Sequence, residues 1–173
     1  MKIAELLEYK IHKDVNQAYT KDAIRQGDLY KDDLTFIKTL DPSIKVGYMK
    51  PNKEWLSIYL FVDDVCEGAL EVEILGPHLE YFNDLKKQFG NRPFCKPHIA
   101  LSPKLQGLGY AKMLYKIALD KGCIFVTEGH TRDAKRLWDS FTDYDTLYYV
   151  GSGVFTEDDE FARLRVLGKD LKD

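Results

Sequence analysis

The pattern of apolar and polar positions predicts an antiparallel hairpin in the middle of the chain. From Trp55 to Val62, apolar residues occupy both sets of alternating positions, which is typical of a strand that is central in a sheet or covered by a helix. Asp63-Asp64 favours a turn into a second strand, from Val65 to Leu75. One face of that strand carries Glu67, Glu71 and Glu73. We therefore expect this hairpin to present an acidic face.

Helical and extended patterns alternate through the rest of the chain. The spacing predicts helices from Asp14 to about Gln26, from Lys31 to Leu40, over residues 79–89, from Leu108 to Leu119, and after an N-cap at Thr131. Further strands are predicted at Phe94–Leu101, Cys123–Thr127, Thr146–Val150 and Ala162–Leu167. This order predicts an α/β (α+β) fold, with a mixed, mostly antiparallel twisted sheet and helices on both faces.

The length and composition indicate one folded domain. The chain has 173 residues, 45% of them hydrophobic and 13% aromatic, which is enough for a sizeable core and excludes a disordered chain. Lys and Arg number 25 against 28 Asp and Glu, a net charge of −3. A protein that binds nucleic acid usually carries a basic excess, so the charge balance disfavours a nucleic-acid partner.

The cysteines and the apolar runs indicate a cytosolic protein. Cys66, Cys95 and Cys123 form no CxxC pair, so we expect buried thiols in a reducing compartment and no metal site. The N-terminal segment interrupts its apolar residues with Glu5 and Glu8 and lacks the core of a signal peptide. The longest apolar run, Leu56–Val62, is far shorter than the roughly 18 residues that a membrane span needs, so we expect no membrane partner.

The segment from Pro103 to Ala111 carries the clearest chemical signal. It reads PKLQGLGYA and lies between a predicted strand and a predicted helix. Glycines at 107 and 109 let the backbone approach a ligand closely, and the helix that follows offers unpaired N–H groups and the positive end of its dipole. Together these features favour a site for a phosphate or a pyrophosphate.

Three classes of phosphate ligand use such a loop. The nucleotide P-loop requires GxxxxGK[ST], which is absent. The dinucleotide fingerprint would use Gly107 and Gly109, but its third small position holds Lys112. Glu128 stands about 20 residues further on, so a nucleotide-cofactor oxidoreductase stays open as a minor alternative. The third pattern, Q/R-x-x-G-x-G/A, is satisfied at every constrained position by Gln106 to Ala111.

In this segment the sequence resembles the GNAT superfamily of acyl-CoA-dependent N-acyltransferases. The resemblance covers roughly residues 93–142: a strand ending in Leu-Ser-Pro, the QGLGYA loop, an amphipathic helix, a short apolar strand, and a helix with Thr131, Ala134, Leu137 and Trp138. It implies that residues 1–92 shape the acceptor site, that 93–142 bind the acyl-CoA, and that 143–173 complete the sheet of a single domain.

The resemblance also implies a set of coenzyme contacts. The backbone amides of the loop would hold the coenzyme A pyrophosphate, and the strand before it would run beside the pantetheine arm and offer an amide to the thioester carbonyl. Thr131 stands where many members carry an asparagine that contacts the coenzyme. The implied contacts are Ile99, Ala100, Leu101, Gln106, Gly107, Leu108, Gly109, Tyr110, Ala111 and Thr131.

Besides Thr131, a second position departs from the family pattern. Trp138 stands where many members carry a tyrosine that protonates the departing thiolate, and tryptophan cannot act as an acid. Either Tyr110 or Tyr144 serves in its place, or thiolate release needs no side-chain acid, or catalysis has been lost. We expect Trp138 itself to be a core residue.

For the general base, the sequence offers a histidine and two carboxylates. His98 lies just before the coenzyme loop and could relay a proton near neutral pH. Glu71 and Glu73 could act through a water or attract a cationic amine. The alternatives are a structural histidine and an exposed polar face of the hairpin.

The resulting expectation is an acetyl-CoA-dependent N-acetyltransferase in which an amine attacks the thioester directly. The runner-up is a GNAT-like domain that binds or supports without turnover. The acceptor, a small molecule or a protein amine, is not identified by any motif. A homo-oligomer paired through the Trp55–Phe61 strand is left open, should that strand lie at an edge.

Overall fold

The computed structural model describes residues 17–37, 39 and 41–172. Its helices are α1 (residues 17–29 of the described part), α2 (Phe82–Phe89), α3 (Tyr110–Asp120) and α4 (Arg132–Asp139). Its strands are β1 (Thr35–Ile37), β2 (Ile44–Met49), β3 (Trp55–Val62), β4 (Val65–Ile74), β5 (Phe94–Leu101), β6 (Ile124–Thr127), β7 (Asp145–Gly151), β8 (Val154–Thr156) and β9 (Leu164–Gly168). The expected cap at Asp14 lies outside the described residues.

The strands are ordered β1-β2-β3-β4-β5-β6-β9-β7-β8 in one sheet. β5 and β6 pair in parallel, and α3 connects them. The pairs β1–β2, β2–β3, β6–β9, β9–β7 and β7–β8 are antiparallel. The predicted α/β class, with a mixed and mostly antiparallel sheet, is confirmed.

The internal contacts of the chain divide it into two compact units. The first unit contains the described residues up to Pro51 together with Leu56–Glu71 and His98–Leu114. The second unit contains Asn52–Trp55, Val72–Pro97 and the chain from Tyr115 onwards. The division of roles among residues 1–92, 93–142 and 143–173 stays a prediction.

The hairpin of the first unit turns at Asp63-Asp64, as the sequence predicts. Both residues have left-handed backbone angles, φ +50° and +66°, the geometry of a two-residue hairpin turn. Lys45 pairs with the Asp64 carboxylate at 2.6 Å, and Lys31 donates to the Asp64 carbonyl oxygen. These two lysines hold a turn whose backbone is otherwise unfavourable for residues with side chains.

In the first unit, α1 covers one face of the strands. Ala23 of α1 is buried, and it belongs to the same apolar cluster as Tyr59, Phe61, Cys66, Ala69 and Ala100. Gly27 lets the helix approach closely, because a Cβ atom there would lie 2.3 Å from the Cys66 sulfur. Burial raises the pKa of Cys66 to about 12, and Cys95 and Cys123 are buried as well.

In the second unit, the core is formed by α2 and by the strands β5, β6, β9 and β7. Its buried members are Leu85, Phe94, Ile124, Val126, Leu147, Tyr149, Leu164, Val166 and Leu171. Thr131 caps α4, since its hydroxyl oxygen accepts the Ala134 N–H at 3.2 Å, as predicted. Trp138 is 2% exposed and packs on Phe125, which confirms that it is a core residue.

The region between α1 and β3 differs from the sequence prediction. A helix from Lys31 to Leu40 is wrong: Lys31–Asp33 form a single 3-10 turn, and Thr35–Ile37 form β1, which pairs with β2. The β-branched and aromatic residues of β1 favour extended backbone once a partner strand is available. β3 is interior, between β2 and β4, so it offers no free edge for pairing between subunits.

Candidate functional site

The segment after β5 is anchored to β4 by a carboxylate. The Ser102 N–H donates to the Glu67 carbonyl oxygen at 2.8 Å, and the Lys104 ammonium lies 2.7 Å from the Glu67 carboxylate. Burial alone would raise the pKa of Glu67, but the hydrogen bond and the charge of Lys104 oppose burial, and the pKa is lowered. Glu67 therefore stays ionised and fixes the start of the loop.

A short 3-10 turn, Pro103–Leu105, follows Ser102. The turn is closed by hydrogen bonds from the Leu105 and Gln106 N–H groups, and the Leu105 side chain is buried. The Gln106 side-chain amide donates back to the Leu101 carbonyl oxygen at 3.4 Å. These contacts set where the glycine segment begins.

Gly107 and Gly109 adopt the left-handed backbone that glycine alone enters without strain, with φ of +76° and +86°. A Cβ atom at either position would meet no atom within 4 Å, so the backbone faces open space. Residues 106–109 are all exposed, including Leu108, which is 65% exposed. The backbone of the loop is therefore exposed and open to a ligand.

α3 begins directly after the second glycine. The Gly109 carbonyl accepts the Met113 N–H at 3.2 Å, so the amides of Tyr110 and Ala111 stand at the start of the helix, before this first bond. Such amides and the helix dipole attract an anion. The predicted strand, loop and helix thus occur in the predicted order, with a geometry that suits a phosphate group.

The register between β4 and β5 places two predicted base candidates side by side. The Ser102 N–H donates to the Glu67 carbonyl, and the Leu75 N–H donates to the Phe94 carbonyl. Eight residues separate the two bonds along each strand, so the pairing between them continues in one antiparallel register. In that register Glu71 lies directly opposite His98, and side chains that are paired in this way lie on the same face.

Glu71 has a further partner that the sequence does not reveal. The Tyr19 hydroxyl of α1 donates to the Glu71 carboxylate at 2.9 Å. Burial, followed by the charge and hydrogen bond of Glu71, raises the pKa of Tyr19. Glu71 and His98 are half-buried, which corrects the view of this strand as an exposed acidic face.

Glu73 lies in a different setting from Glu71. The same register places it opposite Lys96, a residue of opposite charge. Like Glu71, it is half-buried. The cross-strand lysine therefore gives Glu73 a structural explanation.

The two tyrosine candidates for the acid lie at opposite ends of α3. Tyr110 is the first residue of the helix and follows the glycine loop. The Tyr144 hydroxyl donates to Asp120, the last helical residue, at 2.6 Å. Burial, together with that hydrogen bond, raises the pKa of Tyr144, which makes it a weaker acid. At 1.5 Å per residue, the helix between them is about 15 Å long.

The other predicted coenzyme contacts fall on β5 and on α4. Ala100 is 2% exposed and belongs to the core beneath α1, whereas Ile99 and Leu101 are half-buried. Thr131, in the second unit, uses its hydroxyl oxygen as the cap of α4 and can still donate its hydroxyl hydrogen.

Trp138 is held among aromatic and cationic groups of the second unit. Tyr115 makes a side-chain hydrogen bond with Trp138, and burial raises the pKa of Tyr115 to about 12. His130 packs edge-on to the Trp138 ring at 4.5 Å between centroids. Tyr115 is buried, at 4% exposed.

A cavity of about 420 Å³ in the second unit was not predicted from the sequence. It is lined by the segment before α2, by Glu128 at the end of β6, and by Tyr149, Arg163 and Leu164. In the sequence, Glu128 stands out only because it lies about 20 residues after the glycine loop. Its neighbours lie far from it in sequence, so no local pattern could group them.

Within residues 17–37, 39 and 41–172, no group of three or more His, Cys, Asp or Glu side chains is arranged to hold a metal ion. No helix in that part of the chain is long and apolar enough to cross a membrane.

Among the comparisons with known proteins, only the comparison with solved structures gives matches. No protein-family model and no curated protein matches the sequence. A GNAT-family acetyltransferase from Streptococcus pneumoniae aligns with 11% identity and a TM-score of 0.40, over 69% of this chain and 68% of that one. The ribosomal-protein-S18-alanine N-acetyltransferase from Escherichia coli aligns with 13% identity and a TM-score of 0.37, over 67% of each chain.

A third neighbour, a Salmonella typhimurium protein solved with its cofactor acetyl-CoA, aligns with 15% identity and a TM-score of 0.38. It covers 65% of this chain and 61% of its own. At these identities the likeness concerns the fold alone and says nothing about the residues of a site.

Proposed function

We propose that this protein is an N-acyltransferase that transfers an acetyl group from acetyl-CoA to an amine. The observation that carries the proposal is the glycine loop: two left-handed glycines facing open space, directly before the first turn of α3. The sequence of the loop, from Gln106 to Ala111, resembles the GNAT coenzyme signature at each constrained position.

The loop suits the pyrophosphate of coenzyme A. Because neither Gly107 nor Gly109 has a neighbour at its Cβ position, an oxygen atom can approach the backbone where a side chain would stand. The Gln106 N–H is used by the 3-10 turn, so the amides from Gly107 to Ala111 would hold the phosphate oxygens, and the α3 dipole would add to the attraction. The Glu67 contacts with Ser102 and Lys104 would keep the loop in this form before the coenzyme arrives.

The bound coenzyme supplies an acyl thioester, which an amine attacks at the carbonyl carbon. The protein must then remove a proton from the amine, and Glu71 and His98 are the groups we assign to this task. Their opposite positions on β4 and β5 let one receive the proton and the other stabilise the resulting charge. The Tyr19 hydroxyl would hold the Glu71 carboxylate in a fixed orientation.

For the departing thiolate, we assign Tyr110 as the acid rather than Tyr144. Tyr110 follows the loop directly, whereas the Tyr144 hydroxyl is bonded to Asp120 at the far end of α3. Trp138 favours the second candidate function, a domain that binds acyl-CoA without turnover, because tryptophan cannot donate the proton.

The oxidoreductase alternative loses support from the sheet. The dinucleotide-binding fold is a parallel sheet built from several βαβ units. Here the unit of β5, α3 and β6 stands in a sheet whose other defined pairs are antiparallel.

Calorimetric titration with acetyl-CoA and with NAD tests the proposal. We expect acetyl-CoA to bind and NAD to give no heat of binding. Release of the coenzyme A thiol is then measured with a panel of amines. Binding without release for any amine would favour the non-catalytic function, and absence of acetyl-CoA binding would overturn both.

A further inference from the structure

We propose that the cavity beside the end of β6 binds a free amino acid, with its ammonium group at Glu128 and its carboxylate at Arg163. This inference identifies a binding site, and it rests on the cavity alone. At about 420 Å³, the cavity lies within the range of small-molecule sites, roughly 300–1,000 Å³.

Glu128 provides the anionic side of the cavity. It comes directly after the last residue of β6, is exposed to solvent, and lines the cavity. Tyr81, which also lines the cavity, makes a side-chain hydrogen bond with Glu128. That contact orients the carboxylate and leaves it further acceptor positions for an ammonium group.

Arg163 provides the cationic side of the cavity. Its backbone N–H donates to the Tyr149 carbonyl oxygen at 2.7 Å, which ties the residue to β7 just before β9 begins. Its guanidinium lies against Gly151, where a Cβ atom would stand 3.2 Å from the Arg163 Cζ atom. Gly151 has φ +108°, so the glycine both permits the turn and makes room for the arginine. A guanidinium held in this way suits a carboxylate, which it can bind through two hydrogen bonds.

The lining also includes His78 and Glu80, and its apolar part is firmly supported. Leu79 and Leu164 line the cavity, and the Tyr149 hydroxyl is bonded to Asp84 of α2. One acidic wall, one basic wall and an apolar wall match a small zwitterion with an aliphatic side chain. A plain amine would make no use of Arg163, and a plain acid would make no use of Glu128.

The experiment compares L-leucine, L-leucine methyl ester and N-acetyl-L-leucine by calorimetric titration of the whole protein. We expect L-leucine to bind about tenfold or more tightly than either derivative, since each derivative lacks one of the two charges. In Arg163→Gln, the difference between the acid and its methyl ester should disappear. In Glu128→Gln, the difference between the amine and its N-acetyl form should disappear.

Arg136→Gln and Glu160→Gln serve as matched controls, because both residues are exposed in the second unit and outside the cavity lining. Both should keep the full discrimination. Equal binding of all three compounds, no binding of L-leucine, or unchanged discrimination in the two cavity variants would overturn the proposal. If the discrimination holds while acetyl-CoA fails to bind, the amino-acid site stands and the acyl transfer is wrong.

Discussion

Glu71 on β4 lies directly opposite His98 on β5, in a register fixed by hydrogen bonds at both ends of the strand pair. The sequence treats these two residues as separate candidates for the base. The register makes them neighbours on one face, so their contributions to proton removal should depend on each other.

The first prediction concerns this pair. His98→Ala should lower turnover by about 10²-fold or more and leave acetyl-CoA affinity unchanged, because a general base contributes to the chemical step. Glu71→Gln should lower turnover as well, whereas Glu73→Gln, opposite Lys96, should not. Steady-state kinetics and calorimetry on the three variants provide the measurement. Wild-type turnover in both His98→Ala and Glu71→Gln would remove the pair from the mechanism.

Tyr19 should act as a positioning residue through Glu71. Tyr19→Phe removes only the hydroxyl that donates to the Glu71 carboxylate. We expect a lower kcat with little change in the KM for acetyl-CoA. In the double variant with Glu71→Gln, the tyrosine change should have no further effect on kcat. Additive losses would show that Tyr19 acts independently of Glu71.

The glycine loop gives a prediction with an internal control. Gly109→Val and Gly122→Val both place a branched side chain at a left-handed position with open space around it, φ +86° and +96°. Each should lower the free energy of unfolding by roughly 1–2 kcal/mol. Only Gly109→Val should weaken acetyl-CoA binding severely, since Gly122 lies at the other end of α3. Equal affinities of the two variants for acetyl-CoA would show that the loop is only a turn and does not bind the coenzyme.

Glu67 should make the stability of the loop depend on pH. Its pKa is lowered in the folded protein, so its contribution is present above the ordinary carboxyl value and is lost as the pH falls through the lowered value. At pH 7, Glu67→Gln should lower the free energy of unfolding by about 1–2 kcal/mol. This difference from the wild type should shrink towards pH 3 in urea titrations. A constant difference, or one matched by Glu160→Gln, would contradict the assignment.

Tyr110 should affect turnover, whereas Tyr144 should affect the free energy of unfolding. Tyr110→Phe should lower turnover with acetyl-CoA binding intact. Tyr144→Phe should lower the free energy of unfolding by about 1 kcal/mol through the lost bond to Asp120, with turnover unchanged. Kinetics and thermal melts on both variants test this division. A loss of turnover in Tyr144→Phe alone would reverse the assignment.

The sequence predicted best those parts whose signals are local. β5, the glycine loop and the Thr131 cap each depend on a few consecutive residues, and all three occur where expected. The sequence pattern does not predict β2, because Gly47 interrupts the apolar positions of that strand. It predicts a helix over β1, because the three residues of β1 acquire their partner strand only in the folded sheet.

The sequence predicted less of the candidate site than of the fold. Tyr19 and Glu71 are 52 residues apart, and no periodicity links them. Glu128 and Arg163 line one cavity, but they come from the ends of different strands. Packing of elements that are remote in sequence creates both arrangements, whereas the anion loop needs one strand and one helix that are adjacent along the chain.

The burial of all three cysteines has a practical consequence for following the reaction. Cys66, Cys95 and Cys123 are shielded in the folded protein, and a thiol with a pKa near 12 supplies almost no reactive thiolate at neutral pH. A disulfide dye that reports free thiols should therefore record only the coenzyme A that each turnover liberates. The same dye, added during heating without substrate, should remain colourless until the cores open, so one reagent reads both catalysis and unfolding.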